Sequence, residues 1–188
     1  AALCFSGQFR NVRKTYDQWM KPNVLDANPD YQIDVFIHAW FSKDDFGKIY
    51  NTAAGEQYVA AEAVPVGILE DVYQMYNPVS ILLEHQLPFD PKNYGERKYP
   101  SINPMYSLSK MYSTFVANQL KIQHERTFGF KYDVVATTRY DWAFQQPLSF
   151  DIVDKLGIWH PMGCPHGPTA INTPFIMGTS DEVNIFCA

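Results

Sequence analysis

Apolar residues in this chain fall into short β-branched or aromatic blocks, separated by stretches in which they recur at helical spacing. The blocks are ALCF at 2–5, IDVFIHAWF at 33–41, VSILLEH at 79–85, YDVVATTRYDWAF at 132–144, LGIWHP at 156–161 and FIMG at 175–178. The longer ones are nearly continuous rather than alternating, as expected of strands covered on both faces. Between them, Tyr16, Trp19 and Met20 lie at helical spacing in a predicted helix from Asn11 to Met20, broken by Pro22 and Asn28-Pro29-Asp30. GILEDVYQMY at 67–76 predicts a second helix, stopped by Asn77-Pro78. A third runs from Met105 to Phe128 on Leu108, Met111, Tyr112, Phe115, Val116, Leu120 and Ile122, with Gly129 as its terminator. Thr179-Ser180-Asp181 reads as the N-cap of a last helix.

Strands alternating with helices predict an α/β fold with a mostly parallel central sheet flanked by helices, in which ligands bind beyond the carboxyl ends of the strands. The polar stretches 42–48 and 51–57 read as surface loop. The Pro-rich 87–104 and Gly/Pro-rich 163–174 read as longer loops, of a length that is usually functional or mobile.

Composition narrows the function classes. At 188 residues the chain fits one domain (1–188), and 46% hydrophobic with 19% charged residues predicts a packed globule. Both ends cut into regular patterns, so the domain is expected to be a piece of a longer chain or to have had disordered flanks left out. A formal net charge of −5 without a basic run gives no support to a nucleic-acid binder. No window has the roughly 18 apolar residues of a membrane helix, so no membrane span is expected. Cys4, Cys164 and Cys187 lack CxxC spacing and predict free thiols in a reducing, cytoplasmic setting rather than a disulfide framework or structural zinc.

Three strand ends carry the candidate chemistry: Ser6-Gly7-Gln8-Phe9-Arg10 after the first, His38-Ala39-Trp40 after the second, Thr137 to Asp141 after the fourth. In a parallel sheet all three lie along one edge. Ser6-Gly7 permits close backbone approach, and Arg10 adds a cation for a phosphate; an ordinary strand-to-helix turn explains the same residues. A carboxylate just past an apolar strand must be paired, hydrogen-bonded or metal-bound to offset its desolvation. Asp141 therefore either pairs internally with Arg139 or ligates Mg²⁺ or Mn²⁺ on a nucleotide's phosphates. His166, in the later loop, is a candidate second metal ligand or substrate contact. His38 reads as a satisfied core histidine, Asp44 and Asp45 as a solvated pair. Tyr106, Ser107 and Lys110 lie on the first turns of the long helix, where an N-terminus can face an anion.

Taken in order, SGQFR, IDVFIHAW, NPVSILLE, MYSLSKMYSTFVANQL, YDVVATTRYDWAF and INTPFIMGTSD resemble the GT-A glycosyltransferases of large algal (chlorella-type) viruses and bacterial polysaccharide clusters. The resemblance spans nearly the whole chain and rests on the order of six segments rather than on one motif. It implies a Rossmann-like GT-A sheet, a UDP-linked nucleotide-sugar donor, a glycan acceptor hydroxyl, a divalent cofactor (Mn²⁺ or Mg²⁺) and, for a viral protein, the host cytoplasm. It also implies Asp141 and Arg139 as catalytic groups. Ser6, Gly7, Arg10, Thr138 and Arg139 would line the donor pocket, Asp141 and His166 would bind metal, and 160–174 would border the acceptor. Asp181 is the nearest candidate for an acceptor base, though a capping role is its simpler reading. The family's Asp-x-Asp is here Arg139-Tyr140-Asp141, so one expected carboxylate is replaced by a cation. A sugar nucleotidyltransferase and a non-catalytic nucleotide- or carbohydrate-binding module remain the alternatives.

Overall fold

A computed structural model describes residues 1–48, 63–90, 104–154, 157–161 and 175–188. Its centre is a five-stranded sheet in the order β3-β2-β1-β4-β5. The strands are β1 (Ala2–Gln8), β2 (Asp34–Trp40), β3 (Ser80–Glu84), β4 (Val135–Thr138) and β5 (Phe175–Gly178). β1 to β4 are mutually parallel; β5 runs antiparallel to β4.

The helices are α1 (Val12–Thr15), continued by a π-helical segment (Tyr16–Leu25), then α2 (Ile68–Tyr76), α3 (Pro104–Phe128) and α4 (Ser180–Phe186). Strand parity sorts them into two layers. Leu3, Phe5, Val35, Ile37 and Ala39 pack with Val12, Met20, Val24, Ile68, Val72 and Tyr76 on one face. Ala2, Cys4, Phe36 and Val135 pack with Ala117 and Val183 on the other. The chain steps outward from β1 to β3 through α1 and α2, then returns to β4 through α3. Right-handed crossovers in opposite directions place their helices on opposite faces, which gives three layers.

Several expectations need correcting. The first helix does not end at Pro22. The proline removes one ladder N–H, yet the chain runs through it as a wide π-helix to Leu25. Tertiary bonds hold this segment: Asn23 Nδ2 donates to the Phe144 carbonyl at 2.5 Å, and buried Asn28 donates to Val24 and Leu148 carbonyls at 2.7 Å each. The predicted strand at 156–161 is, among its described residues, a single antiparallel bridge between Trp159 and Met177. Finally, Asp181 does not cap α4: Thr179 is the N-cap, as expected, and closes a box with Glu182, whose carboxyl is drawn below its usual range by the Thr179 and Gly157 N–H groups. Asp181 instead forms an exposed ion pair with Lys131.

The other elements follow the pattern. Gly129 leaves α3 at φ 72°, a conformation glycine adopts without Cβ cost. Asp45 closes a capping box with Ser42 rather than standing free in solvent. No described helix is long and apolar enough to cross a membrane.

Candidate functional site

Sheet order locates the site. From β1 the chain moves to β2 and β3 on one side, whereas β4 lies on β1's other side, so the order reverses between β1 and β4. In open parallel sheets the crevice outside the carboxyl ends at such a reversal is the usual ligand site. Register deepens it. Phe5 pairs with Thr138, the last residue of β4, while Ser6, Gly7 and Gln8 run on beside His38, Ala39 and Trp40 of β2 alone. The final three residues of β1 therefore border the turn that follows β4.

That turn is pinned by Tyr140. Its ring is 1% exposed and stacks on Phe5 with centroids 5.0 Å apart and planes 14° from parallel. With Tyr140 turned inward, Arg139 and Asp141 on either side stay partly exposed, at 35% and 19% of their side chains. They meet in a fork: Arg139 Nε donates to Asp141 Oδ1 at 2.8 Å and Nη2 to Oδ2 at 2.5 Å. A guanidinium carries five N–H donors. Two are bound to Asp141, and the other three have no hydrogen-bond partner among the described residues.

Across the crevice, Gly7 takes φ 107°, which side-chain-bearing residues rarely adopt, and open space lies where a Cβ would stand. Its N–H donates to Ser113 Oγ at 2.8 Å. Arg10 folds back so that Nε and Nη2 both reach Gln8 Oε1, at 3.1 and 2.5 Å. Of the residues expected to line a donor pocket, Gly7, Arg10 and Arg139 are thus partly exposed. Ser6 and Thr138 are 4% and 2% exposed. Ser6 Oγ shares a proton with Thr114 Oγ1 at 3.2 Å, and Thr138 Oγ1 donates to the Arg139 carbonyl at 3.4 Å. Both brace the site from behind.

Behind Gly7 lies a buried chain of hydrogen bonds that sequence reading met only at its middle. Fully buried His38 holds Ser113 Oγ through Nδ1 and Glu84 Oε2 through Nε2, both at 2.7 Å. Ser113 Oγ accepts the Gly7 N–H and donates to the His38 carbonyl at 3.4 Å. Burial favours the neutral imidazole, lowering His38's pKa below its ordinary 6.5, although the bond to Glu84 works against the shift. Serine, histidine and glutamate in this order have the composition of a nucleophilic triad. Ser113 is 0% exposed and already accepts a backbone N–H, so the chain is a brace that ties β1, β2 and β3 to α3. Glu84, Ser113 and Thr114 were missed because they are 46, 75 and 108 residues from their partners. The available signal was a polar Ser113-Thr114 step inside the otherwise apolar stretch of α3.

His166 and all but the start of 160–174 lie outside the described residues, as does the segment preceding α3. A divalent ion at Asp141 would share its carboxylate with Arg139, and the other expected ligand, His166, is not among the described residues. Both carboxylate oxygens accept from Arg139, and no group of three metal-ligating side chains occurs among the described residues. Two hollows lie elsewhere, along the outer flank of α3; one, about 540 Å³, is lined by Leu82, Val116, Leu120 and Arg126 among others. They are open grooves away from the strand ends, and convergence of polar groups marks the crevice as the better candidate.

No protein-family model and no curated protein matches this sequence.

Proposed function

We propose that the protein is a glycosyltransferase of GT-A type that binds a nucleotide-sugar donor, UDP-linked by resemblance, in the crevice between β1 and β4. The observation that carries this reading is the coincidence of three features at one reversal point: the open Gly7 turn, the forked Arg139–Asp141 pair and the carboxyl ends of parallel strands. The strand order with its antiparallel fifth strand is compatible with that fold, and the ordered segments of the sequence favour the activity.

In the transfer, the bond between the anomeric carbon and the diphosphate oxygen breaks, and its electron pair leaves on the diphosphate. A new bond forms to the acceptor hydroxyl oxygen, whose proton is released. The chain's task is to hold the departing charge with fixed donors, since preorganised donors stabilise the transition state without reorganisation. Gly7 admits the donor close to the backbone, and Arg139 stands beside it.

The test is twofold. Melting temperature should rise with UDP-glucose or another UDP-sugar, because a ligand bound only to the folded state stabilises it. Incubation with the same donors should release UDP, faster with a glycan acceptor present. A panel of nucleotide sugars that neither shifts the melt nor yields nucleoside diphosphate would sink the reading. Pyrophosphate release from UTP and a sugar phosphate would instead indicate a nucleotidyltransferase.

A further inference from the structure

The carboxylate that a metal would need is already committed. Asp141 binds the Nε–Nη2 edge of Arg139 in a two-point fork, which fixes the guanidinium in one plane and directs its remaining donors outward. The Arg139 side chain is 35% exposed, and those donors have no hydrogen-bond partner among the described residues. A divalent ion placed on Asp141 would have to share its two oxygens with the fork and would face the guanidinium's positive charge; at about 4 Å the repulsion is substantial even near a surface. The opposing residues at the end of β1 contribute a second guanidinium, Arg10, drawn towards β1 by Gln8. No group of three metal-ligating side chains occurs among the described residues.

Resting on the donor-site reading above, we propose that Arg139, held by Asp141, is itself the cation that receives the donor's diphosphate, and that nucleoside diphosphate binding requires no divalent ion. A guanidinium matches the spacing of phosphate oxygens and keeps its charge at any working pH. Asp141 is then a positioning residue. It fixes the fork and does not touch the ligand.

UDP is the probe, titrated by calorimetry against the protein in EDTA and again with Mn²⁺. The expected result is binding in EDTA, changed less than about threefold by Mn²⁺. Arg139→Met should weaken it about tenfold or more, because bonds to charged groups are the strong ones. Arg139→Lys should recover only part, since an ammonium lacks the planar fork. Asp141→Asn should weaken UDP only a few-fold. Melting curves without ligand check that each variant is folded.

Binding that appears only with Mn²⁺, or is strengthened more than about tenfold by it, would overturn this inference and leave the glycosyltransferase reading standing. So would undiminished binding to Arg139→Met, or loss of binding in Asp141→Asn alone. Failure of UDP and UDP-glucose to bind under either condition would remove both.

Discussion

Two acid–base pairs in this chain look alike on paper and differ in every physical respect. Lys121 and Glu125, one turn apart on α3, are 0% and 5% exposed. The Lys121 ammonium has three N–H donors, and each finds an acceptor: Glu125 Oε2 at 3.1 Å, Ser180 Oγ at 2.6 Å and Asn184 Oδ1 at 2.8 Å. Glu125's other oxygen accepts the Ser180 hydroxyl at 2.6 Å and the Tyr132 N–H at 3.0 Å. That cluster closes on itself and locks α4 onto α3. Arg139 and Asp141 bind each other at two points, yet they sit partly exposed at a strand reversal, with three guanidinium donors that have no partner among the described residues. A buried pair with every proton placed is architecture. A pair with donors left over, at the mouth of a crevice, is equipped to receive something.

The largest expected effect comes from breaking the closed pair. Lys121→Met leaves the Glu125 carboxylate buried beside apolar α3 and α4 neighbours, a change that typically costs ~3–5 kcal/mol. Urea unfolding at neutral pH measures it. A loss below about 1 kcal/mol would mean that water reaches the cluster and that the contrast with Arg139 is not one of burial.

Next in size is the brace behind Gly7. His38→Gln keeps one polar partner but cannot bridge Ser113 and Glu84 at 2.7 Å on both sides, and should cost about 1–3 kcal/mol as buried groups lose partners. The native His38 also carries a pH signature. Its pKa in the fold is lowered by burial from 6.5, so the unfolded chain binds the proton more readily than the fold does. The stabilising contribution is complete above about pH 6.5 and is lost as pH falls from there through the lowered value. The variant should therefore show a flatter decline of melting temperature in that acidic window. A decline parallel to the wild type's would show that His38 is not the titrating group.

How much of this was visible in the sequence depends on the range of the signal. Four parallel strands, α2, α3 and the Gly129 terminator were legible because each is written in local periodicity. Pro22 misled because a local rule for ending helices was outweighed by Asn23 and Asn28, which bind the 144–150 segment more than 100 residues away. The strand read at 156–161 had the right composition, yet among its described residues only Trp159 makes a bridge with β5. At the candidate site, Gly7, Arg139 and Asp141 could be named from strand ends. Their partners Ser113, Thr114 and Glu84 could not, since nothing local pairs residue 38 with 84 and 113. Lys121 was hidden for the same reason. A lysine in a long amphipathic helix normally points to water, and only tertiary structure turns it inward.

A smaller effect of opposite sign is expected at Tyr140. Its hydroxyl is buried without a hydrogen-bond partner among the described residues, as is that of Tyr76, and burial raises both phenols well above their ordinary pKa. The stacked ring, not the hydroxyl, anchors the turn between Arg139 and Asp141. Tyr140→Phe should thus be neutral or stabilising by about 1 kcal/mol, since it removes an unsatisfied buried group. It should leave UDP affinity unchanged. Destabilisation would reveal a hydrogen bond to the hydroxyl.

The smallest effect on stability is expected where the proposed effect on ligand is greatest. Arg139→Met breaks a fork that is one-third exposed on the arginine side, and such pairs contribute roughly 0–1 kcal/mol once side-chain ordering and solvent screening are counted. Asp141 is 19% exposed and can take water in place of the guanidinium, so no buried charge is stranded. The melting temperature should fall by no more than a few degrees, whereas Lys121→Met should lower it several times as far. Raising the salt concentration should narrow the Arg139 difference further, because exposed charges are screened, and leave the Lys121 difference nearly intact. An Arg139→Met loss as large as that of Lys121→Met would place the fork among the structural pairs, and the unspent donors would then lose their claim to a ligand.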